Sequence, residues 1–275
     1  MKAYEDVHRV KLTDRCPKVI RLDGKAFHTY TAKLPAHDAA IPMAMHMATE
    51  ALMKEMGGVA RMAYVQSDEC SIVMNDCLTL QSQPWFDNKL QKLTSVAASI
   101  FTAHFNSAVK VVPNVLGTGI LDVPQYAYFD ARVIQLPDIN ELTNYLIWRQ
   151  IDAIRNSIQM CAQERFSHTE LHKKSVKDML AMMKDKGFDW EAQTPGIKYG
   201  FVIDKTKYAK YPVFKEDRNF VMERYLPERR QRNPRQAIHP LMLTPNEAQE
   251  TAKRFILEAL LDQAKVLFEE NSGDR

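Results

Sequence analysis

Val19-Ile20-Arg21-Leu22-Asp23-Gly24-Lys25-Ala26-Phe27-His28 is an apolar run that stops abruptly on a carboxylate, a glycine and a cation. The Val-Ile-x-Leu pattern predicts a half-buried or buried strand, and Asp-Gly both ends strands and lets backbone approach a ligand closely. Alone, the dipeptide also reads as a plain turn. What decides between the two readings is whatever else the chain brings to the same strand end.

Downstream, a helical pattern begins near Pro42, with Ala44, Met47, Ala48, Ala51 and Leu52 at spacings that share one face. Gly57-Gly58 closes it. Ala60 to Gln66 and Cys70 to Met74 then read as two short strands joined at the acidic turn Ser67-Asp68-Glu69, which predicts a hairpin exposing both carboxylates at its tip. Asp68 follows Asp23 by 45 residues, room for a strand, a helix and a returning strand to bring both to one end of a sheet. A second helix is expected from Asn88 to Phe105, and a fourth strand over Tyr126 to Ile134. The order β-α-β-β-α-β predicts an α+β fold with a ferredoxin-like sheet, helices on one face and extra C-terminal helices. That sheet serves RNA-binding modules and the palm of nucleotide polymerases alike, so it does not by itself specify a function.

Asp138 with Glu141 signals the start of a helix running to about Arg165, with Trp148, Ile151, Ile154 and Ile158 expected on its buried side. Ser167 with Glu170 repeats the signal before a lysine-rich stretch, Gly200 to Ile203 predicts one more strand, and Thr244-Pro245 opens a last helix to about Phe268. The expected organisation is a catalytic core over residues 1–136, an extension completing it over 137–209, and a basic arm with a C-terminal helix over 210–275.

The totals, 45% hydrophobic and 26% charged in 275 residues, are those of an ordinary globular protein with room for a large core. No stretch approaches the roughly 18 apolar residues of a membrane span, and the polar N-terminus lacks the apolar run of a leader, so a cytoplasmic protein is expected. Cys16, Cys70, Cys77 and Cys161 form no C-x-x-C pair, which argues against zinc and against a disulfide framework. The net charge is only +3, but Arg224, Arg229, Arg230, Arg232 and Arg235 cluster in a segment suited to lie along phosphates or simply to face water.

Two acidic groups at adjacent strand ends, one beside a glycine, match what Mg²⁺ requires: one or two carboxylates, with phosphate oxygens and waters completing an octahedron. Asp23 and Asp68 suit a pair of ions roughly 3.5–4 Å apart, with the Gly24 carbonyl as a further oxygen and Lys25, Ser67 and Lys92 towards phosphates. Surface turns that happen to be acidic are the rival reading. His28 and His37 read more readily as structural donors than as catalytic bases. Tyr126, Tyr128 and Phe129 fit either base stacking or core packing.

Arg21 to His28, Gln66-Ser67-Asp68-Glu69, Lys92 through Ser99, Asp130-Ala131-Arg132-Val133 and Trp148-Arg149-Gln150-x-Asp152 together resemble the tRNA-histidine guanylyltransferase superfamily, in consistent order over roughly residues 2 to 204. The resemblance implies a palm that adds nucleotides to the 5′ end of tRNA in the 3′-to-5′ direction. ATP or GTP would activate the 5′-monophosphate, and the 3′-hydroxyl of an incoming GTP would attack it. It implies two Mg²⁺ ions on Asp23, Gly24 and Asp68, with Glu69 as a third catalytic residue. Lys25, Ala26, Phe27, His28, Ser67 and Lys92 would bind nucleotide. Asn156 and Lys174 would bind tRNA, and the basic cluster with Arg229, Arg230 and Arg232, beyond the reach of the resemblance, is expected to do so from its charge. The assembly would be a homo-oligomer, with four copies expected. Eukaryotic members carry His-Ile-Asn-Asn-Leu-Tyr-Asn after the motif aspartate, whereas this chain reads Ile154-Arg155-Asn156-Ser157-Ile158-Gln159. The missing histidine and tyrosine favour template-dependent 5′-end repair over dedicated guanylylation of tRNA-His. A nucleotide cyclase, another palm-type nucleotidyltransferase and a non-catalytic RNA-binding module are the alternatives.

Overall fold

The computed structural model of the protein describes residues 1–34, 38–78, 81–117, 119–204 and 209–225. The chain divides into the units Met1–Glu228 and Arg229–Arg275, and every described residue lies in the first, which runs across the expected boundaries after residues 136 and 209. The expected helix over 244–268 lies outside the described residues.

In chain order the elements are α1 (Lys2–Asp6), β1 (Lys18–Gly24), α2 (Phe27–Tyr30), α3 (Ala40–Met56), β2 (Ala60–Gln66), β3 (Glu69–Met74), α4 (Leu90–Leu116), β4 (Phe129–Gln135), α5 (Ile139–Gln163), α6 (His168–Leu171), α7 (Val176–Asp185), α8 (Pro195–Tyr199), β5 (Phe201–Asp204), β6 (Ala209–Lys210) and α9 (Asn219–Tyr225). The strands form one antiparallel sheet in the order β4-β1-β3-β2-β5-β6.

Strand alternation sends Ile20, Leu22, Ala63, Val65, Cys70 and Ile72 into one core with Ala44, Ala48 and Leu52 of α3 and Leu93, Phe101 and Phe105 of α4. Val19, Met62, Tyr64 and Val73 enter a second core with Leu142, Tyr145 and Leu146 of α5 and Val221 and Tyr225 of α9. Helices thus cover both faces, where the sequence had suggested one. Strands covered on both sides lose the in-out rhythm of polarity, and β2 and β3 are buried along their whole length. The 25-residue α5 is about 37 Å long and outruns the seven-residue strands, which span about 23 Å. Its overhanging end carries a third core of Ile158, Cys161 and Ala162 with Phe166, Met179, Met183 and Trp190.

Two of the expected apolar faces are corrected. Met47 of α3 is 40% exposed and Met45 is buried in its place. On α5, Trp148 and Ile151 are 54% and 56% exposed. The buried side instead carries Tyr145, Arg149, Gln150 and Ser157, polar groups that find partners below. Gln150, for example, donates to the carbonyls of Tyr199 and Pro212 and accepts from the Phe214 N–H.

The start of β1 is anchored by a buried ion pair. Lys18 Nζ lies 3.0 Å from Asp76 Oδ2, with side-chain exposures of 1% and 4%, and Asn88 donates to the same oxygen. Asp76→Ala would strand the ammonium in the interior. Urea denaturation is expected to show about 3–5 kcal/mol lost.

Candidate active site

The other end of β1 is where the expected chemistry lies. Asp23 and Gly24 are its last residues, paired across the sheet with Glu69 of β3 on one side and with Asp130 and Phe129 of β4 on the other. Beyond them the Lys25 N–H donates to the Tyr128 carbonyl at 2.8 Å. Ala26 then bends left-handed, with φ 51° and ψ 42°. The bend drops Phe27 into an aromatic cluster whose centroids lie 5.6 Å from Phe105 and 5.7 Å from Phe129. The strand end is therefore held from both sides before any ligand arrives.

The β2–β3 hairpin closes through two residues only, Ser67 and Asp68, between the paired Gln66 and Glu69. Ser67 adopts φ 48°, the sign that a two-residue hairpin loop requires at its first position. The tip hands Asp68 back to Gly24: a Cβ built on Gly24 would lie 2.9 Å from Asp68 Oδ2 and 2.5 Å from Phe27 Cδ2. Only a hydrogen side chain leaves room for this approach.

Burial pushes the Asp68 carboxyl up to about 6. Hydrogen bonds from its own N–H and from Ser67 oppose the shift, and the negative charges of Asp23 and Glu69 add to it. Like charges collected in a partly dry spot create demand for a cation.

Glu69 does not share the tip. It begins β3, is buried, and its carboxylate is gripped by the fork of Arg149 on α5, with Nε donating to Oε1 at 2.7 Å and Nη2 donating to Oε2. The same Nη2 reaches Asp152 Oδ2 at 3.1 Å. The expectation of two exposed carboxylates at the turn is corrected to one, because the register that exposes Asp68 turns Glu69 under α5.

A cleft of ≈ 630 Å³ opens over this end of the sheet, lined by Asp23, Gly24, Ala26, Phe27, His28, Ser67 and Asp68, and walled by Met160 and Gln163 of α5 and by Glu164 just beyond its end. The α5 wall and Arg149 were not singled out as site residues in the sequence. The available signal was the spacing of Asn156, Met160 and Gln163, which places them on one helix face.

A model of the family described as tRNAHis guanylyltransferase matches residues 1–137. A bacterial tRNA(His) guanylyltransferase-like protein solved in complex with ATP is 37% identical, with a TM-score of 0.74 over 82% of this chain and 98% of that one. The chain belongs to the tRNA(His) guanylyltransferase family. Its members so named are nucleotidyltransferases. A bacterial guanylyltransferase-like protein solved in complex with GTP is 33% identical, with a TM-score of 0.64 over 82% of this chain and 97% of that one. The tRNA(His) guanylyltransferase of Schizosaccharomyces pombe is 32% identical over 164 residues, 58% of this chain and 56% of that enzyme, so the chain spans little more than half the enzyme's length.

Of the other expected positions, His28 is exposed and lines the cleft, Lys25 is exposed between the cleft-lining Gly24 and Ala26, and Phe27 is chiefly core. Asn156 is exposed one helical turn before Met160. Lys174 is exposed between α6 and α7, next to Lys173, which lines an adjoining hollow of ≈ 500 Å³ with Gln163 and His172. Arg229, Arg230 and Arg232 lie outside the described residues. Lys92 is not brought to the cleft within the chain. β3 runs away from the hairpin tip, so α4 begins at the Lys18 end of the sheet, where Asn88 meets Asp76. There Lys92 lies over the Phe86 ring at 5.8 Å, about a strand length, roughly 20 Å, from Asp23.

Proposed function

We propose that this cleft adds nucleotides, chiefly G, to the 5′ end of tRNA in the 3′-to-5′ direction, using Mg²⁺ and a 5′-phosphate activated by ATP or GTP. The observation that carries the reading is the Asp23–Asp68 pair, held at one strand end against a glycine whose backbone is open to a ligand. Two carboxylates and a backbone carbonyl, with phosphate oxygens and waters to complete the shell, fit Mg²⁺. The β4-β1-β3-β2 order supports reading the sheet as a ferredoxin-like polymerase palm.

In this reading Asp23, the Gly24 carbonyl and Asp68 hold two Mg²⁺ ions. When bound, these would lower the pKa of an attacking 3′-hydroxyl and neutralise the charge that develops on pyrophosphate. The Ser67 hydroxyl, the Lys25 ammonium and His28 at the cleft mouth orient the phosphates. Ala26 and the buried Phe27 keep the Lys25–His28 loop from drifting, so its donors are already in place when the triphosphate arrives. Met160 and Gln163 shape the far wall, and Asn156 and Lys174 lie on the side from which the RNA end enters. The absent histidine and tyrosine after Asp152 favour templated repair of truncated tRNA.

The test is 5′-end mapping of tRNA-His and of other tRNAs lacking their first nucleotide, incubated with ATP, GTP, Mg²⁺ and the protein. Extension that follows the opposing base is expected, on tRNA-His and on the others alike. Turnover of nucleotide with no RNA acceptor would instead identify a cyclase. RNA binding indifferent to chelator, with no extension, would identify a binding module. Light scattering tests the expected homotetramer.

A further inference from the structure

Asp23 and Glu69 are register partners across β1 and β3. Partners in an antiparallel pair present their side chains on the same face, with Cβ atoms about 4.5–5.5 Å apart. Asp68 is the neighbour of Glu69 in the chain. By position alone, then, Glu69 stands at this strand end beside Asp23 and Asp68, and so does the exposed Asp130, which partners Asp23 from β4 and lies 3.3 Å from Arg132; the site proposed above uses Asp23 and Asp68. What separates Glu69 is Arg149.

Its guanidinium occupies both oxygens of Glu69, and the pair is sealed under α5 with side-chain exposures of 8% and 6%. The guanidinium lies over the Trp148 ring, 4.6 Å away, and its Nη2 also reaches Asp152. On the sheet side, Ser71 Oγ lies 3.0 Å from the Tyr145 hydroxyl, which closes the layer between Glu69 and the interior. Glu69 is thus both geometrically occupied and balanced in charge.

The geometry points to Arg149 as a positioning residue that withholds the Glu69 carboxylate from the ions and cancels its field. The inference rests on the metal reading of Asp23 and Asp68. It makes a prediction of opposite signs. Removing the cation frees Glu69 as a further negative group beside the ions. Removing Glu69 leaves the guanidinium with Asp152 as its carboxylate partner and its positive charge uncancelled on the sheet side, beside the ions. A pair that merely braces the hairpin would loosen the site in both variants and weaken metal binding in both.

The experiment is a Mn²⁺ titration of the full-length protein, read by electron paramagnetic resonance at fixed pH and low salt. Relative to wild type, Arg149→Gln is expected to bind Mn²⁺ about tenfold more tightly and Glu69→Gln about tenfold more weakly. The double variant Glu69→Gln/Arg149→Gln is expected to return to within about twofold, since a neutral pair in place of a buried ion pair is well tolerated. Arg149→Lys keeps the charge and gives up the fork, and should stay within about threefold of wild type. Should Arg149→Gln fail to fold, the weakening in Glu69→Gln and its reversal in the double variant carry the same test. Weakening in both single variants, or a double variant no closer to wild type than Glu69→Gln, overturns the inference while leaving the metal site intact. A wild-type protein whose Mn²⁺ binding is absent, or unchanged in Asp23→Asn and Asp68→Asn, overturns the metal reading and the inference together.

Discussion

Asp68→Asn is expected to abolish 5′ extension of tRNA and, in the presence of a chelator at pH 7.5, to raise the melting temperature of the protein. Burial pushes the carboxyl from its ordinary 3.8 up to about 6 in the fold, so the folded state binds this proton more tightly than the unfolded chain does. The sign follows directly. Stability falls as pH rises from about 4 to about 6, and above 6 the full ionisation cost is present. Two pKa units amount to about 3 kcal/mol, which the residue's partial exposure to water reduces to about 1–2 kcal/mol. Asparagine removes that cost, a gain of roughly 3–6 °C in a domain of this size. The gain should shrink as pH falls and be nearly gone at about pH 3, where the wild-type carboxyl is mostly protonated in both states. Activity should fall by roughly a thousandfold, because one of the two carboxylates proposed to hold the ions is lost. Calorimetry in EDTA at both pH values, beside a primer-extension assay, reads both effects. A variant less stable than wild type at pH 7.5 would contradict the electrostatic account.

Gly24→Ala is expected to cost at least a hundredfold in activity and about 1–3 kcal/mol in stability. The added methyl would meet Phe27 at 2.5 Å and the Asp68 carboxylate at 2.9 Å. Moving Phe27 disturbs its packing on Phe105 and Phe129, and moving Asp68 displaces a proposed metal ligand, so neither relaxation is free. Gly58→Ala is the control. A Cβ there meets nothing within 4 Å, and the change should stay within about 1 kcal/mol of wild type with activity intact. Steady-state kinetics and urea denaturation of the two variants side by side make the comparison. Equal effects would mean that generic backbone stiffening, and not the close approach at Gly24, is responsible.

Much of the fold could be read because local rules and tertiary packing agree along β1 and α4. Leu93, Ala97 and Phe101, spaced four apart inside the helix expected over Asn88 to Phe105, share one buried face. Asp138 caps α5 by accepting from the Asn140 and Glu141 N–H groups, and Ser167 with Glu170 forms the expected capping box. The reading failed where polarity and burial part company. The inner face of α5 is built from Arg149, Gln150 and Ser157, whose partners lie far away in the chain, so apolarity pointed to Trp148 and Ile151 instead. In the site, the strand-end carboxylates were legible because strand endings and hairpin turns are local. That Glu69 is claimed by Arg149, 80 residues further on, is a tertiary fact that no local pattern carries. The place of Lys92 was hidden for another reason. Its motif is local, but the direction of α4 depends on which end of the sheet β3 leaves from.

The two-residue turn at Ser67 and Asp68 also limits how the gene can vary at this point. Side chains alternate faces along a strand, so one extra codon between Gln66 and Glu69 that shifted the pairing would swing every residue of β3 to the opposite side. Glu69 would then point into the layer that holds Ile72 and Phe101, and Cys70 would face Arg149. Insertion scanning across residues 64–72 should therefore find no active clone, whereas insertions between Gly119 and Gln125, where no strand or helix forms, should be tolerated. Length, as much as residue identity, is what selection must preserve in this hairpin.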